Sequence, residues 1–150
     1  MNWSYIAGFF DGEGSITHNN GTGFRITIPQ TNEEVLVVMR DFIGFGSIIK
    51  LKKRQLHWKD SWLYYISNKK DVYHFLSQAA PHLIVKKRAS LQAVIELKAQ
   101  LSSMRKRKEV HDKRKSEAKL LKFKGWSYRK IGKKLEIDWG YARRLILDLS

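Results

Sequence analysis

Along residues 3–13 the apolar positions Ile6, Phe9 and Phe10 recur every three or four residues, the spacing of one face of an α-helix. Ser4 stands where an N-cap belongs, and Gly12 and Gly14 close the segment. From residue 15 the period changes to two. Residues 15–18 and 24–28 read as strands, because Phe24, Ile26 and Ile28 alternate with Arg25 and Thr27. The intervening Asn19-Asn20-Gly21-Thr22-Gly23 has the composition of a hairpin turn, and Pro29, lacking an N–H, is expected to end the second strand. Helical spacing returns over residues 33–43, with Asn32 as cap and Glu33 and Glu34 in the first turn, where carboxylates complement the helix dipole. Gly44-Phe45-Gly46 stops that helix.

Residues 47–56 and 61–67 form a second hairpin pattern joined by residues 57–60, with Lys50, Lys52 and Arg54 alternating against Ile49, Leu51 and Lys53. Asn68 is placed to cap a helix running to about residue 80, Pro81 breaks the chain, and a further helix is predicted over residues 86–101. The order helix, hairpin, helix, hairpin, helix, helix predicts an α+β fold. In it a four-stranded sheet is backed by helices on its apolar face and turns a polar face outward. Such a ribbon suits a DNA groove. Residues 102–115 carry little apolar content and read as a charged, partly helical linker. An apolar pattern resumes over residues 116–149 through Leu120, Leu121, Phe123, Trp126, Ile131, Leu135, Ile137, Ala142, Leu145 and Ile146. The organisation expected is therefore residues 1–101, a linker at 102–115, and a small helical region at 116–150. No repeat relates the first hundred residues to themselves.

Charge changes the picture most. The 150 residues hold 29 Lys and Arg against 14 Asp and Glu, a net charge of +15. The excess is concentrated: residues 102–135 carry 14 basic and 3 acidic side chains, residues 1–101 carry 13 and 8, and residues 136–150 carry 2 and 3. A polyanionic partner is implied, and nucleic acid fits the aromatic, strand-patterned first hundred residues better than a membrane surface does. There is no Cys, which excludes disulfides, thiolate zinc sites and Cys nucleophiles. No apolar run approaches the roughly 20 residues that span a bilayer, and Met1-Asn2-Trp3-Ser4 lacks the basic flank of a secretory signal. An intracellular, cytoplasmic protein is expected, with an organelle as a further possibility.

Tyr5-Ile6-Ala7-Gly8-Phe9-Phe10-Asp11-Gly12-Glu13-Gly14, followed by Ser15, carries the chemistry. Ala7 and Gly8 are small enough for a second helix to approach. Glu13 falls just past the predicted helix end between two glycines, with bare carbonyls beside it, a donor set that hard cations prefer. This segment resembles the signature of the LAGLIDADG homing endonucleases of the single-motif, homodimeric type. The resemblance extends from residue 3 to residue 101 through Thr27-Ile28-Pro29-Gln30-Thr31, Ile43-Gly44-Phe45-Gly46 and Pro81-His82-Leu83-Ile84-Val85-Lys86-Lys87. It implies an αββαββα fold with a saddle-shaped antiparallel sheet and Mg²⁺-dependent cleavage of double-stranded DNA, with Mn²⁺ as another suitable cation.

The resemblance further implies that Glu13 and the Gly12 carbonyl hold the metal, and that Glu13, Gln30 and Lys86 are catalytic. A slip of one residue would move the last role to Lys87. Ile6, Ala7, Gly8 and Phe10 would pair two copies about a twofold axis over a near-palindromic site. Thr17, Asn19, Arg25, Thr27, Lys50, Lys52, Arg54 and Tyr65 would meet DNA from the sheet. One departure stands out: some relatives place an Arg four residues after the Gln, and this chain has Glu34 there, leaving Arg40 or Lys87 to fill the role. The scaffold is shared by intron maturases and by non-catalytic DNA-binding regulators. An intact Glu13, Gln30 and Lys86 argue against the latter.

Residues 124–146 resemble a helix-turn-helix unit similar to those of recombinases and transcription regulators. Ser127 and Asp138 would cap its two helices, while Ile131, Leu135, Ile137, Ala142 and Leu145 would form its core. Trp139, Arg143 and Arg144 would face DNA. Glu136 occupies the turn position that usually requires Gly, and the alternative role for the segment is a helical cap on the first hundred residues.

Overall fold

A computed structural model describes residues 1–19, 23–53, 55 and 57–147. They form two compact units, Met1–Leu101 and Ser102–Ser150. The first holds α1 (Trp3–Glu13), β1 (Ser15–Asn19), β2 (Gly23–Gln30), α2 (Glu33–Ile43), β3 (Ser47–Lys50), β4 (Trp62–Ile66), α3 (Lys69–Ala79) and a 3₁₀ turn at Ala80–His82. α4 (Lys87–Phe123) begins in the first unit and ends in the second, which also contains α5 (Tyr128–Leu135) and α6 (Trp139–Leu147).

The four strands form one antiparallel sheet in the order β1-β2-β4-β3. The α+β class and the helix-backed four-stranded sheet expected from the pattern are thus present. α1 and α3 pack on β2, and α2 packs on β3 and β4. The side chains that meet there are Ile6 and Phe10 from α1, Phe24, Ile26 and Ile28 from β2, Leu36 and Met39 from α2, Tyr64 and Ile66 from β4, and Phe75 and Leu76 from α3. Alternation along β2 delivers its three apolar residues to one face, and their burial supplies the main driving force for that layer.

Several boundaries differ from the expected ones. Asn2, not Ser4, caps α1: its Oδ1 accepts the Tyr5 N–H at 2.9 Å. β2 continues through Pro29 to Gln30, which pairs with Trp62. The β1 ladder ends at Thr27, so beyond that point β2 is bordered by β4 alone, and a missing N–H is tolerated on a one-sided stretch. β3 is only four residues long. The expected linker at residues 102–115 is helical throughout, inside α4. No Gly or Pro interrupts residues 87–123, and Lys, Arg and Glu are good helix formers. Arg105 and Glu109 add an i,i+4 pair at 2.9 Å.

In the second unit Ala118 of α4, Ile131 of α5 and Ala142 of α6 are fully buried, with Leu121, Trp126, Leu135, Ile137 and Ile146 packed around them. Ser127 Oγ accepts the Lys130 N–H at 3.3 Å, and Asp138 Oδ1 accepts the N–H groups of Gly140 and Tyr141 at 2.8 and 3.2 Å. Glu136 closes α5 in the left-handed region, at φ 53° and ψ 44°. The turn leading into α6 folds so closely back on α5 that a Cβ on Gly132 would lie 2.8 Å from the Ile137 carbonyl oxygen.

Gly44 and Gly46, which together end α2 and start β3, have φ of 85° and 94°. Around Gly44 there is open space, whereas a Cβ on Gly46 would stand 2.7 Å from the Tyr64 ring. Tyr64 is fully buried, its hydroxyl donates to the Phe45 carbonyl at 2.6 Å, and burial, with Asp71 adding to it, pushes its phenol well above the usual range. The two glycines therefore separate conformational strain from steric conflict. Gly44→Ala is expected to cost about 1 kcal/mol, the penalty of a side chain at positive φ. Gly46→Ala adds overpacking and is expected to cost about 2–4 kcal/mol. Thermal melts of the two variants test this, and equal losses would contradict it.

Candidate functional site

The C-terminal end of α1 is fastened to a segment far along the chain. Asp11 Oδ2 accepts the N–H groups of Ile84 and Val85 at 2.6 and 3.1 Å, and Oδ1 accepts the Lys86 N–H at 2.9 Å. The Lys86 side chain returns the contact. Its Nζ donates to the Asp11 carbonyl oxygen and lies 5.8 Å from the centre of the Phe10 ring. Carbonyls in the last turn of a helix lack intrahelical partners, so a cation is well placed there. Desolvation opposes ionisation of Asp11. The three backbone donors, together with the nearby Lys86 charge, outweigh it and hold the carboxyl below its usual value.

Glu13 is the last residue of α1 itself, not the first beyond it, and is exposed. Among the described residues no hydrogen bond or ion pair engages its carboxylate. Gly12 beside it is exposed with nothing within 4 Å of a Cβ position. Gly14 is buried, and a Cβ there would collide with the Phe10 ring. Phe10 and Gly14 thus set the angle at which β1 leaves the helix, and leave Glu13 standing clear. The donors gathered here, a free carboxylate and the Gly12 carbonyl, are hard oxygen ligands of the type that Mg²⁺ takes. Among the described residues no group of three or more His, Asp or Glu side chains converges to hold a metal within one chain.

Gln30 ends β2, half-buried, with Oε1 accepting the Thr31 N–H at 2.8 Å. It lies three residues along β2 from Thr27, whose ladder partner is Ser15, two residues after Glu13. Lys86 therefore reaches the helix end that carries Glu13, and Gln30 sits at the far end of the adjoining strand. Lys87 is the exposed first residue of α4 and Arg40 pairs with Asp41 at 2.8 Å, so neither contacts the Lys86 clamp.

The sheet's register sorts the expected DNA contacts. Thr17 pairs with Arg25, Ser15 with Thr27, and Thr27 with Tyr65, so these side chains share the face away from the helices. Ser15 and Thr27 share a hydrogen bond of 2.7 Å, and the Arg25 guanidinium sits 5.1 Å from the Tyr65 ring centre. Asn19 is in β1. Arg54 lies outside the described residues.

Lys50 does not join this face. It pairs with Trp62 and shares a side with Ile48 and Tyr64, its Nζ 5.3 Å from the Trp62 ring and 3.1 Å from Asp60 Oδ2. Ile48 has to meet Tyr64 in the core, and a period of two then forces Lys50 to the same side, leaving Ile49 on the open face, 47% exposed. Asp60 also holds Lys53 at 2.9 Å, and these two ammonium groups, Lys53 foremost, keep its carboxyl below the usual value. Lys52 is exposed beyond the strand.

The expected pairing face of α1 also needs correction. Ile6, Ala7 and Phe10 are fully buried in the chain's own core, so they are unavailable to a second copy. The face α1 leaves open carries Tyr5, Gly8 and Gly12. Beside it, Ile84 and Val85 are 86% and 78% exposed, held to α1 by Asp11. Asp11 and the Ile84-Val85 segment both lie in stretches the sequence singles out, but nothing in the local pattern pairs one with the other. In the other unit Trp139, Arg143 and Arg144 are exposed on α6.

Residues 2–79 match the family described as LAGLIDADG-like domain. No curated protein matches the chain. Among solved structures, the archaeal intron-encoded homing endonuclease I-Vdi141I complexed with DNA is similar at 21% identity and a TM-score of 0.52, over 97% of this chain and 94% of that one. The homing endonuclease I-CvuI, solved in complex with its target, is similar at 17% identity and a TM-score of 0.50, over 64% of this chain and 65% of that one. The meganuclease I-AabMI bound to uncleaved DNA is similar at 17% identity and a TM-score of 0.54, over 77% of this chain and 43% of that one. These likenesses are of fold. The chain spans under two thirds of the length of I-CvuI and under half that of I-AabMI.

The Asp11 clamp has a pH signature. Because the folded carboxyl titrates below its unfolded value, its contribution is complete above about pH 4, the unfolded value. It disappears as pH falls through the lower, folded value. Asp11→Ala is expected to lower stability by about 1–3 kcal/mol at neutral pH. The gap from wild type should narrow in melts at pH 3. A gap independent of pH would mean that Asp11 acts through packing.

Proposed function

The chain belongs to the LAGLIDADG-like family, and from that premise we propose that it is a site-specific, metal-dependent DNA endonuclease acting as a homodimer. The observation that carries the proposal is Glu13, exposed and without a partner among the described residues, at the end of a helix that Lys86 clamps just before it. The Glu13 carboxylate and the Gly12 carbonyl would hold Mg²⁺, or Mn²⁺ in its place, which when bound supplies Lewis acidity at the phosphodiester and favours ionisation of an attacking water. Lys86 fixes the end of α1, and its ammonium lies close enough to the helix end to offset charge developing on the phosphate. Gln30 has its Oε1 committed to Thr31, which orients its amide nitrogen to hold a water.

Substrate binding follows from the surfaces. The open sheet face offers Thr17, Arg25, Thr27 and Tyr65, and Lys52 stands beyond β3. Hydroxyls, a guanidinium and an aromatic ring suit contacts to base edges and backbone in a groove. Residues 102–150 form a second DNA contact, with Trp139, Arg143 and Arg144 on α6 as the reading face. A single motif per chain supports pairing of two copies through the Tyr5, Gly8 and Gly12 face of α1, extended by Ile84 and Val85. Small residues let helices approach closely. Each copy would then bring one Glu13 towards the shared axis and cut one strand of a near-palindromic site.

Glu13→Gln keeps the shape and removes the charge. It is expected to reduce cleavage of a DNA library in Mg²⁺ by at least about 10³-fold, on the order of the effect of removing a group that acts in the transition state. Duplex binding in Ca²⁺ should change by less than about threefold, roughly the effect of a uniform binding contact of under 1 kcal/mol. Near wild-type cutting by this variant would remove Glu13 from the mechanism.

Gly8→Leu tests the pairing face. The site is open in the single chain, so the variant should fold and melt like wild type, yet light scattering should report a monomer where wild type is a dimer. A dimer that survives the substitution would place the interface elsewhere.

A further inference from the structure

In the second unit a groove of about 350 Å³ runs between α4 and α6, lined by Lys106, Arg107, Val110, His111 and Arg114 on one side and Tyr141 on the other. The five α4 residues recur at i, i+1, i+4, i+5 and i+8, so they occupy one face of the helix. Further along, the same face carries Ala118 and Leu121, which pack against α5 and α6. A face that packs on its neighbours would ordinarily stay apolar as it extends. Here it turns cationic as soon as the packing ends.

The charges are also sorted. Within residues 106–114 the acids, Glu109 and Asp112, fall by helical spacing away from the groove face; Glu109 pairs with Arg105 at 2.9 Å, Asp112 lies 3.5 Å from the ring of His111 at the groove's edge, and the next acid, Glu117, comes only a turn beyond Arg114. Among the described residues Lys106, Arg107 and Arg114 have no acidic partner, and all three are exposed. Arg144 of α6 stands next to the groove, its guanidinium 5.8 Å from the centre of the lining Tyr141 ring, on the same helix as Trp139 and Arg143. Exposed like charges held this close repel one another, and that cost is offset when a polyanion lies among them.

We propose that the α4–α6 groove seats the sugar-phosphate backbone of the DNA duplex whose base edges meet α6, with Arg107 and Arg114 each contacting a phosphate. The proposal rests on the reading of residues 102–150 as DNA-binding. It assigns to α4 the task of setting how deep and in which register α6 enters the groove, because phosphate contacts position while base contacts specify. Arginine suits it, since its planar fork matches phosphate oxygens two at a time.

The test is binding of the full chain to a labelled DNA duplex, titrated at several KCl concentrations, for three double variants checked by circular dichroism. Arg107→Gln/Arg114→Gln should lower the log–log salt slope by about 1.8, at about 0.9 for each phosphate no longer neutralised. Arg105→Gln/Lys108→Gln removes the same charge outside the groove and should leave the slope within about 0.5 of wild type. Trp139→Ala/Arg143→Gln tests the reading beneath: it should weaken binding with a smaller change in slope. If the groove variant matches wild type while the α6 variant weakens binding, the groove assignment falls and the DNA-binding reading stands. If neither changes binding, both fall. Equal slope reductions from the groove and off-groove variants would show that only net charge matters, and would overturn the proposal. So would a slope reduction seen with a structured RNA but absent with DNA.

Discussion

A carboxylate in the last turn of α1 collects three backbone N–H groups from residues 73 to 75 positions away. Most of what α1 can do depends on that contact. The donors are the three successive N–H groups of Ile84, Val85 and Lys86, just before α4 begins at Lys87. The acceptor is ionised, so the bonds are of the stronger, charge-assisted kind. The same contact brings the Lys86 ammonium to the free carbonyl of Asp11. One interaction thus joins two chain segments, gives a carbonyl at the end of α1 a donor and leaves Glu13 as the exposed carboxylate of the motif. The two acids therefore differ in kind: Asp11 is engaged in holding the fold, and Glu13 stands exposed.

α1 is also a helix with two distinct faces. Its inner face, Ile6, Ala7 and Phe10, completes the core above β2, and its outer face is glycine with Tyr5 at one end. A glycine-bearing face costs helix stability in a single chain, roughly 1 kcal/mol per Gly relative to Ala. Packing of the inner face offsets it. The outer face thus costs helix stability in the single chain and leaves open space beside Gly8 and Gly12. The sheet shows the complementary arrangement, with its helix-backed side full and its open side built of hydroxyls, Arg25 and Tyr65.

The second unit follows the same rules on a smaller scale. Three short apolar contributions from α4, α5 and α6 close a core around Ala118, Ile131 and Ala142. The turn between α5 and α6 holds Glu136 in the left-handed region, a conformation that disfavours residues with a Cβ. Caps at Ser127 and Asp138 satisfy the helix starts on either side. Much of the charge on this unit is basic, and along residues 106–114 of α4 it is ordered, with Glu109 and Asp112 turned away from the groove.

Local chemistry was legible along the chain because it is local. Asn32, Asn68, Ser127 and Asp138 cap helices where their spacing placed them, since a short side chain bonding two or three residues ahead needs nothing distant. The positive φ at Glu136, the alternation of β2 and the motif ending in Glu13 were equally readable. Tertiary structure decided the rest. α1 is apolar nearly all round, so periodicity marks a helix without saying which side finds the core, and only packing against β2 buried Ile6, Ala7 and Phe10 while freeing Gly8. Lys50 changed sides because strand parity has meaning only once Ile48 is set against Tyr64. Asp11 acquired its partners from the other end of the domain, a contact no local window contains. The length of α4 exceeded its apolar pattern because charged residues with high helical propensity need no buried face to continue a helix already nucleated by packing.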